Sequence, residues 1–132
     1  MTGQTDLTQL IKTMTPQLND GEYVFCKTDN LDGIDVKEVV CIFKEQEAYT
    51  IVLNKTIADR LQLPYTYVAA WITLTVHSSL EAVGLTAAFS TALGDAGISC
   101  NVIAAYYHDH IFVKREDGEK AMEVLKRLAE GK

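Results

Sequence analysis

The clearest pattern of apolar positions lies in the second half of the chain. Apolar residues over 85–96 recur at helical spacing and are followed by Gly97, which predicts a helix ended by a left-handed glycine. Two β-type runs follow at 98–106 and 110–114, with a tight turn predicted near His108-Asp109. Apolar positions over 121–128 then predict a final amphipathic helix.

The first half shows a weaker version of the same order. Apolar spacing over 7–14 predicts a short helix with Asp6 as its N-cap. Three β-branched and aromatic runs predict strands at 23–28, 39–43 and 49–53, the last two joined as a hairpin. A capped helix start is predicted at Thr56 and a stop at Pro64, and 65–76 predicts one long strand.

Together these elements predict an α+β fold of two tandem ferredoxin-like units, each an antiparallel sheet with helices on one face. We divide the chain into a degenerate unit at 1–64 and a second unit at 65–132, with the strand at 65–76 shared. The first is degenerate because 29–37 is too polar to form its first helix. The second lacks a final strand, which either the other half or a partner chain must supply. The exposed edge left by that gap predicts a homodimer.

The composition and charge of the chain disfavour several kinds of partner and location. With 18 acidic and 12 basic residues the formal charge is -6, which disfavours nucleic acid as a partner. The start of the chain has no leader pattern, and no apolar run is long enough to cross a bilayer, so we expect a cytoplasmic protein without membrane contact. Three cysteines without C-x-x-C spacing, each among apolar residues, predict buried free thiols.

The second half also carries a family resemblance. The segment from Ile72 to Leu128 resembles an ACT domain in its Gly84-Leu85 pair, the Ala-rich helix, the A-G-I-S turn and the D-H-I-F-V strand. It is most similar to small tandem ACT proteins of bacteria, to cytosolic arginine-sensing ACT proteins of animals and to aspartokinase regulatory domains. The resemblance implies a non-catalytic module that binds an amino acid and has a regulatory output, without a cofactor. The D-x-P-G often found before the first helix is absent.

The candidate binding site is the loop that leads into the predicted helix at 85. A helix N-terminus presents unpaired N–H groups to a carboxylate, and a glycine allows close approach of a ligand. Glu81 is a candidate acceptor for an amine, and Asp109 is a candidate acceptor for a basic group. The alternative interpretation is that Gly84 only eases the turn and that Glu81 and Asp109 are solvated surface carboxylates. The predicted ligand-binding residues are Ser78, Ser79, Glu81, Val83, Gly84, Leu85, Thr86 and Asp109.

Other chemistry has weaker support. His108 and His110 would share one side of a strand and meet a metal ion, but a third ligand is missing nearby. No nucleophile, P-loop, metalloprotease or dinucleotide motif is present, so we predict neither catalytic nor metal residues. The RNA-recognition fold has the same element order but is disfavoured by charge. A dimerisation module without a ligand is the alternative function.

Overall fold

The computed structural model describes residues 3–75 and 84–132, except for the side chains of residues 3–6. The chain divides into a central unit, Asp20–Ala69, and a terminal unit made of Met1–Asn19 and Ala70–Lys132. The helices are α1 (Gly3–Thr13), α2 (Lys55–Arg60), α3 (Leu85–Asp95) and α4 (Gly118–Ala129). The strands are β1 (Thr15–Leu18), β2 (Tyr23–Thr28), β3 (Val39–Lys44), β4 (Tyr49–Asn54), β5 (Val68–Thr75), β6 (Asn101–Ala104) and β7 (Asp109–Lys114).

In the central unit, β4 lies between β3 and β2, and both pairings are antiparallel. The first residues of β5 close this sheet, because Val68 pairs with Val24 and Ala69 with Tyr23. Where the first helix of a ferredoxin-like unit would stand, the structure has a loop and one 3-10 turn, Val36–Glu38. The side chain of Asp35 caps that turn by accepting from the Lys37 N–H, as expected of a segment rich in Asp and Gly.

The terminal unit packs α1, α3 and α4 on one face of its sheet. Alternate residues of β5 and β7, among them Ile72, Leu74 and Ile111, are fully buried in the core beneath the helices. The end of α3 is the predicted one: Gly97 has a φ of 78°, and the Ile98 N–H donates to the carbonyl of Leu93 over 2.9 Å. The predicted helical stripe over 85–96 is therefore confirmed.

The final strand of the terminal unit comes from the beginning of the same chain. β1 pairs antiparallel with β5, from Thr15 opposite Thr75 to Leu18 opposite Ile72. The slot that motivated the homodimer is filled by β1, so that argument for a dimer was wrong, and the homodimer itself stays a prediction. β5 thus supplies the last strand of the central sheet and a middle strand of the terminal sheet, and the ferredoxin-like tandem fold is confirmed.

Several local predictions were wrong. Helix α1 begins at Gly3, so Asp6 is not its N-cap. The N-cap of α2 is Asn54, whose side chain accepts from the Thr56 N–H over 2.8 Å. The hairpin turn lies at 105–108, and Asp109 is already the first residue of β7.

The strand predicted at 65–76 is also shorter, since β5 begins at Val68. Before it, the Tyr65 hydroxyl donates to Asp59 of α2 over 2.7 Å, which holds that residue outside the strand.

The described part of the chain contains no helix long and apolar enough to cross a membrane. The cysteines are free thiols: Cys26 is buried, and Cys41 and Cys100 are half-buried. Burial raises the pKa of all three thiols, which makes them poor nucleophiles at neutral pH.

Candidate functional site

The N-terminus of α3 starts at a glycine with a left-handed backbone. Gly84 is the N-cap, with φ 96° and ψ -16°, and no side chain of residues 3–75 or 84–132 caps the helix there. Its carbonyl accepts from the Ala88 N–H over 2.9 Å, which closes the first turn. The backbone N–H groups of the first turn are the donors that an uncapped helix end presents to an anion.

Of the predicted loop residues, the structure describes Gly84, Leu85 and Thr86. The Leu85 side chain is buried in the core and the Thr86 side chain is exposed, so at Leu85 only the backbone is available to a ligand. Ser78, Ser79, Glu81 and Val83 lie outside the described residues.

The α-carbon of Gly84 faces another helix. A Cβ added there would lie 2.9 Å from Cδ2 of Leu7, on α1. The lack of a side chain at Gly84 therefore serves the packing of α1 against the start of α3 as well as the backbone angle. The sequence gives no sign of this contact, because Leu7 and Gly84 are far apart along the chain.

Asp109 lies at the end of the sheet where β5 finishes. β7 lies beside β5 in the sheet, and the Trp71 side chain contacts both Phe112 and His110, whereas Thr73, two residues nearer the end of β5, contacts His110, so the residue number rises along β5 as it falls along β7. The two strands are therefore antiparallel, and Asp109, the first residue of β7, falls beside the last residues of β5. The chain leaves β5 at that end to reach α3.

The Asp109 side chain is half-buried and has no ion pair or hydrogen bond among the described residues. Burial raises the pKa of its carboxyl, and the neighbouring His110 offsets part of that shift. No hydrogen bond in the described part of the chain links Asp109 to Gly84 or Thr86. A half-buried carboxylate without a cation costs stability, which is common for groups that meet a ligand.

The opposite face of the terminal sheet carries a hydrogen-bonded cluster that the sequence did not indicate. The Trp71 indole Nε1–H donates to Nδ1 of His110 over 3.0 Å, and Oγ1 of Thr73 lies 3.2 Å from the same nitrogen. The Asn19 side chain donates to Oγ1 of Thr73 over 3.0 Å and to the Trp71 carbonyl over 3.2 Å. Nδ1 of His110 is thus hydrogen-bonded to side chains of β5. Nδ1 of His108, in contrast, is buried without a hydrogen bond among the described residues.

A metal site receives no support from these positions. Within the described residues, no group of three His, Cys, Asp or Glu side chains is arranged to hold an ion.

The sequence comparisons agree with this architecture. A model of the ACT domain matches residues 2–70, and a second ACT-domain model matches residues 67–127. The chain belongs to the ACT-domain family. The two ACT matches overlap at 67–70, where β5 begins and where its first residues pair with β2. ACT domains are regulatory modules that bind ligands.

Among solved structures, a protein of unknown function from Vibrio cholerae, described as a possible transport protein, is 45% identical over 97% of this chain and 99% of its own, with a TM-score of 0.87. The ligand-free regulatory subunit of aspartate kinase from Thermus thermophilus is 11% identical, covers 88% of this chain and 99% of its own, and has a TM-score of 0.62.

Escherichia coli aspartokinase III, solved with aspartate and ADP, is 13% identical over 86% of this chain and 32% of its own, with a TM-score of 0.65. At such low identity the two kinases show a shared ACT fold and nothing more. No curated protein matches the chain.

Proposed function

We propose that this ACT-domain chain binds a free amino acid at the end of the terminal sheet where α3 begins, and that binding has a regulatory rather than a catalytic output. The observation that carries the proposal is the N-terminus of α3 at Gly84, which has a left-handed backbone and which no side chain of the described residues caps. An amino acid carries a carboxylate, and the first-turn N–H groups of a helix are its natural donors.

Asp109 supplies the complementary charge. It lies at the sheet end from which the chain departs toward α3, it is half-buried, and no described cation neutralises it. An ammonium or guanidinium group would form charge-assisted hydrogen bonds with that carboxylate. Ser78, Ser79, Glu81 and Val83 belong to the proposed site through the sequence pattern alone.

Thr86 allows a sharp test, because it is exposed in the first turn of α3. Thr86→Glu places a negative charge at the positive end of the helix dipole, which should raise the free energy of unfolding by roughly 0.3–1 kcal/mol. The same charge repels a ligand carboxylate and should weaken binding at least about tenfold, the size of one charge-assisted hydrogen bond. Thr86→Gln is the matched neutral control and should change neither quantity much.

Calorimetric titration with the amino acid selected by screening measures the affinities, and urea unfolding measures the stabilities. Unchanged affinity in Thr86→Glu, with the helix stabilised as expected, would place the carboxylate elsewhere.

The alternative function is an ACT module that assembles with itself and binds no small molecule. Sedimentation of the chain, together with screening, separates the two functions. Assembly that persists while no amino acid raises the melting temperature supports the alternative.

A further inference from the structure

The hydrogen bond between Trp71 and His110 fixes the protonation state of the histidine. An indole N–H can only donate, so Nδ1 of His110 must accept at 3.0 Å, and the proton of the neutral ring sits on Nε2. A protonated imidazole carries a hydrogen on both nitrogens. In that state Nδ1 and the Trp71 Nε1–H would be two donors facing each other, and their hydrogen bond is lost.

Thr73 offers the protonated ring another partner. Its Oγ1 lies 3.2 Å from Nδ1 of His110, and a hydroxyl oxygen accepts as well as it donates. The Asn19 amide donates to the same oxygen over 3.0 Å, which fixes the position of the hydroxyl next to the ring. Nδ1 of His110 therefore accepts a hydrogen bond when the ring is neutral and donates one when the ring is protonated. Trp71 is the partner of the neutral ring, and Thr73 is the partner of the protonated ring.

We propose that His110 is a pH-sensitive switch that exchanges hydrogen-bond partners, accepting from Trp71 when neutral and donating to Thr73 when protonated. The proton comes from solvent, and the exchange breaks the hydrogen bond that ties the indole of the chain's single tryptophan to His110, while the ring stays stacked on Phe112. The switch does not depend on the proposed amino-acid site.

Within the described part of the chain, two titratable groups act on the His110 ring, His108 and Asp109, both from the same hairpin. Burial is the main influence and lowers the pKa of the imidazole, His108 lowers it further, and Asp109 raises it. The described neighbours contributed by β5, by β6 and by the residue after β1 are uncharged: Trp71, Thr73, Ile103 and Asn19.

The single tryptophan makes the switch directly observable. We expect the indole Nε1–H resonance and the tryptophan fluorescence of the intact chain to change together as the pH falls from about 8 to about 5. The two signals should share one midpoint below 6.5, the ordinary histidine pKa. Signals that stay constant over this range in the folded chain would overturn the proposal.

Variants assign the response to the cluster. His110→Asn keeps an acceptor for the indole but cannot titrate, so both signals should stay constant with pH. Trp71→Phe removes the bond that favours the neutral ring and should raise the His110 midpoint, followed by NMR of the ring protons, by roughly 0.5–1 pH unit. Thr73→Val removes the acceptor of the protonated ring and should lower that midpoint.

His108→Asn is the control, and the response should persist in it. A response that survives His110→Asn, or a midpoint that moves in the same direction in Trp71→Phe and Thr73→Val, contradicts the partner exchange. The Trp71→Phe and Thr73→Val measurements decide the matter even if His110→Asn fails to fold.

Discussion

The α-carbon of Gly84 points at Leu7, and a Cβ built on it would lie 2.9 Å from Cδ2 of that leucine. Gly84 also has a φ of 96°, where side chains are strained. We therefore expect Gly84→Ala to lower the free energy of unfolding by about 1–3 kcal/mol, measured by urea denaturation.

Gly94→Ala is the matched control for that change. Gly94 lies in the same helix, has no positive φ, and an added Cβ would meet no atom within 4 Å. Helix propensity should make Gly94→Ala more stable than the wild type by up to about 1 kcal/mol. If Gly84→Ala is as stable as the wild type, the start of α3 does not pack against Leu7 as closely as the structure shows.

The carboxyl of Asp109 should cost stability at neutral pH. Its pKa is raised on folding from 3.8, so the protonated form favours the folded state and stability falls as the pH rises through the folded-state pKa. Asp109→Asn removes the charge and should raise the free energy of unfolding at about pH 7 by on the order of 0.5 kcal/mol. The gain should disappear as the pH falls to about 4.

Denaturation at several pH values measures this effect, with Asp32→Asn, on an exposed loop, as the control. A loss of stability in Asp109→Asn at neutral pH would show that a protein group already pairs with this carboxylate.

The strand β1 should be essential to the terminal unit although it is short. Leu18 pairs with Ile72 and is partly buried against the core, so Leu18→Asp places a charge against apolar side chains and should destabilise the fold by roughly 2 kcal/mol or more. Gln17→Asp is the matched control, because Gln17 is exposed, and it should be nearly neutral. Circular dichroism melting curves of the two variants check the difference, and equal losses would contradict the role of β1 as the closing strand.

Much of the fold follows from local sequence pattern. The spacing of apolar residues determines helix α3 and the strand at 23–28, and the positive φ of Gly97 ends that helix. These signals lie in neighbouring residues, so the sequence shows them. β1 was not predicted, because T-P-Q-L has neither alternation nor β-branched runs and contains a proline. It is a strand only because β5 lies beside it, and a proline is tolerated in an edge strand.

The candidate site was predictable only in part. The helix N-terminus at Gly84 follows from a glycine before an apolar stripe. Asp109, in contrast, was predicted in the hairpin turn and is the first residue of β7. The cluster of Trp71, Thr73 and His110 could not be predicted, because its members meet through the register of β5 and β7, over 37 to 39 residues of sequence. Such registers depend on tertiary pairing and leave no local signal.

Melting temperatures measured in the presence of each free amino acid test whether the chain binds an amino acid at the start of α3. Each amino acid that raises the melting temperature is then compared with its carboxamide, in which an uncharged amide replaces the carboxylate. We expect at least one amino acid to raise the melting temperature in a concentration-dependent manner, and its carboxamide to leave it unchanged. At one hundred times its Kd, that amino acid should raise the free energy of unfolding by about 2.7 kcal/mol. No shift with any amino acid, or an equal shift with the carboxamide, would contradict binding at the start of α3.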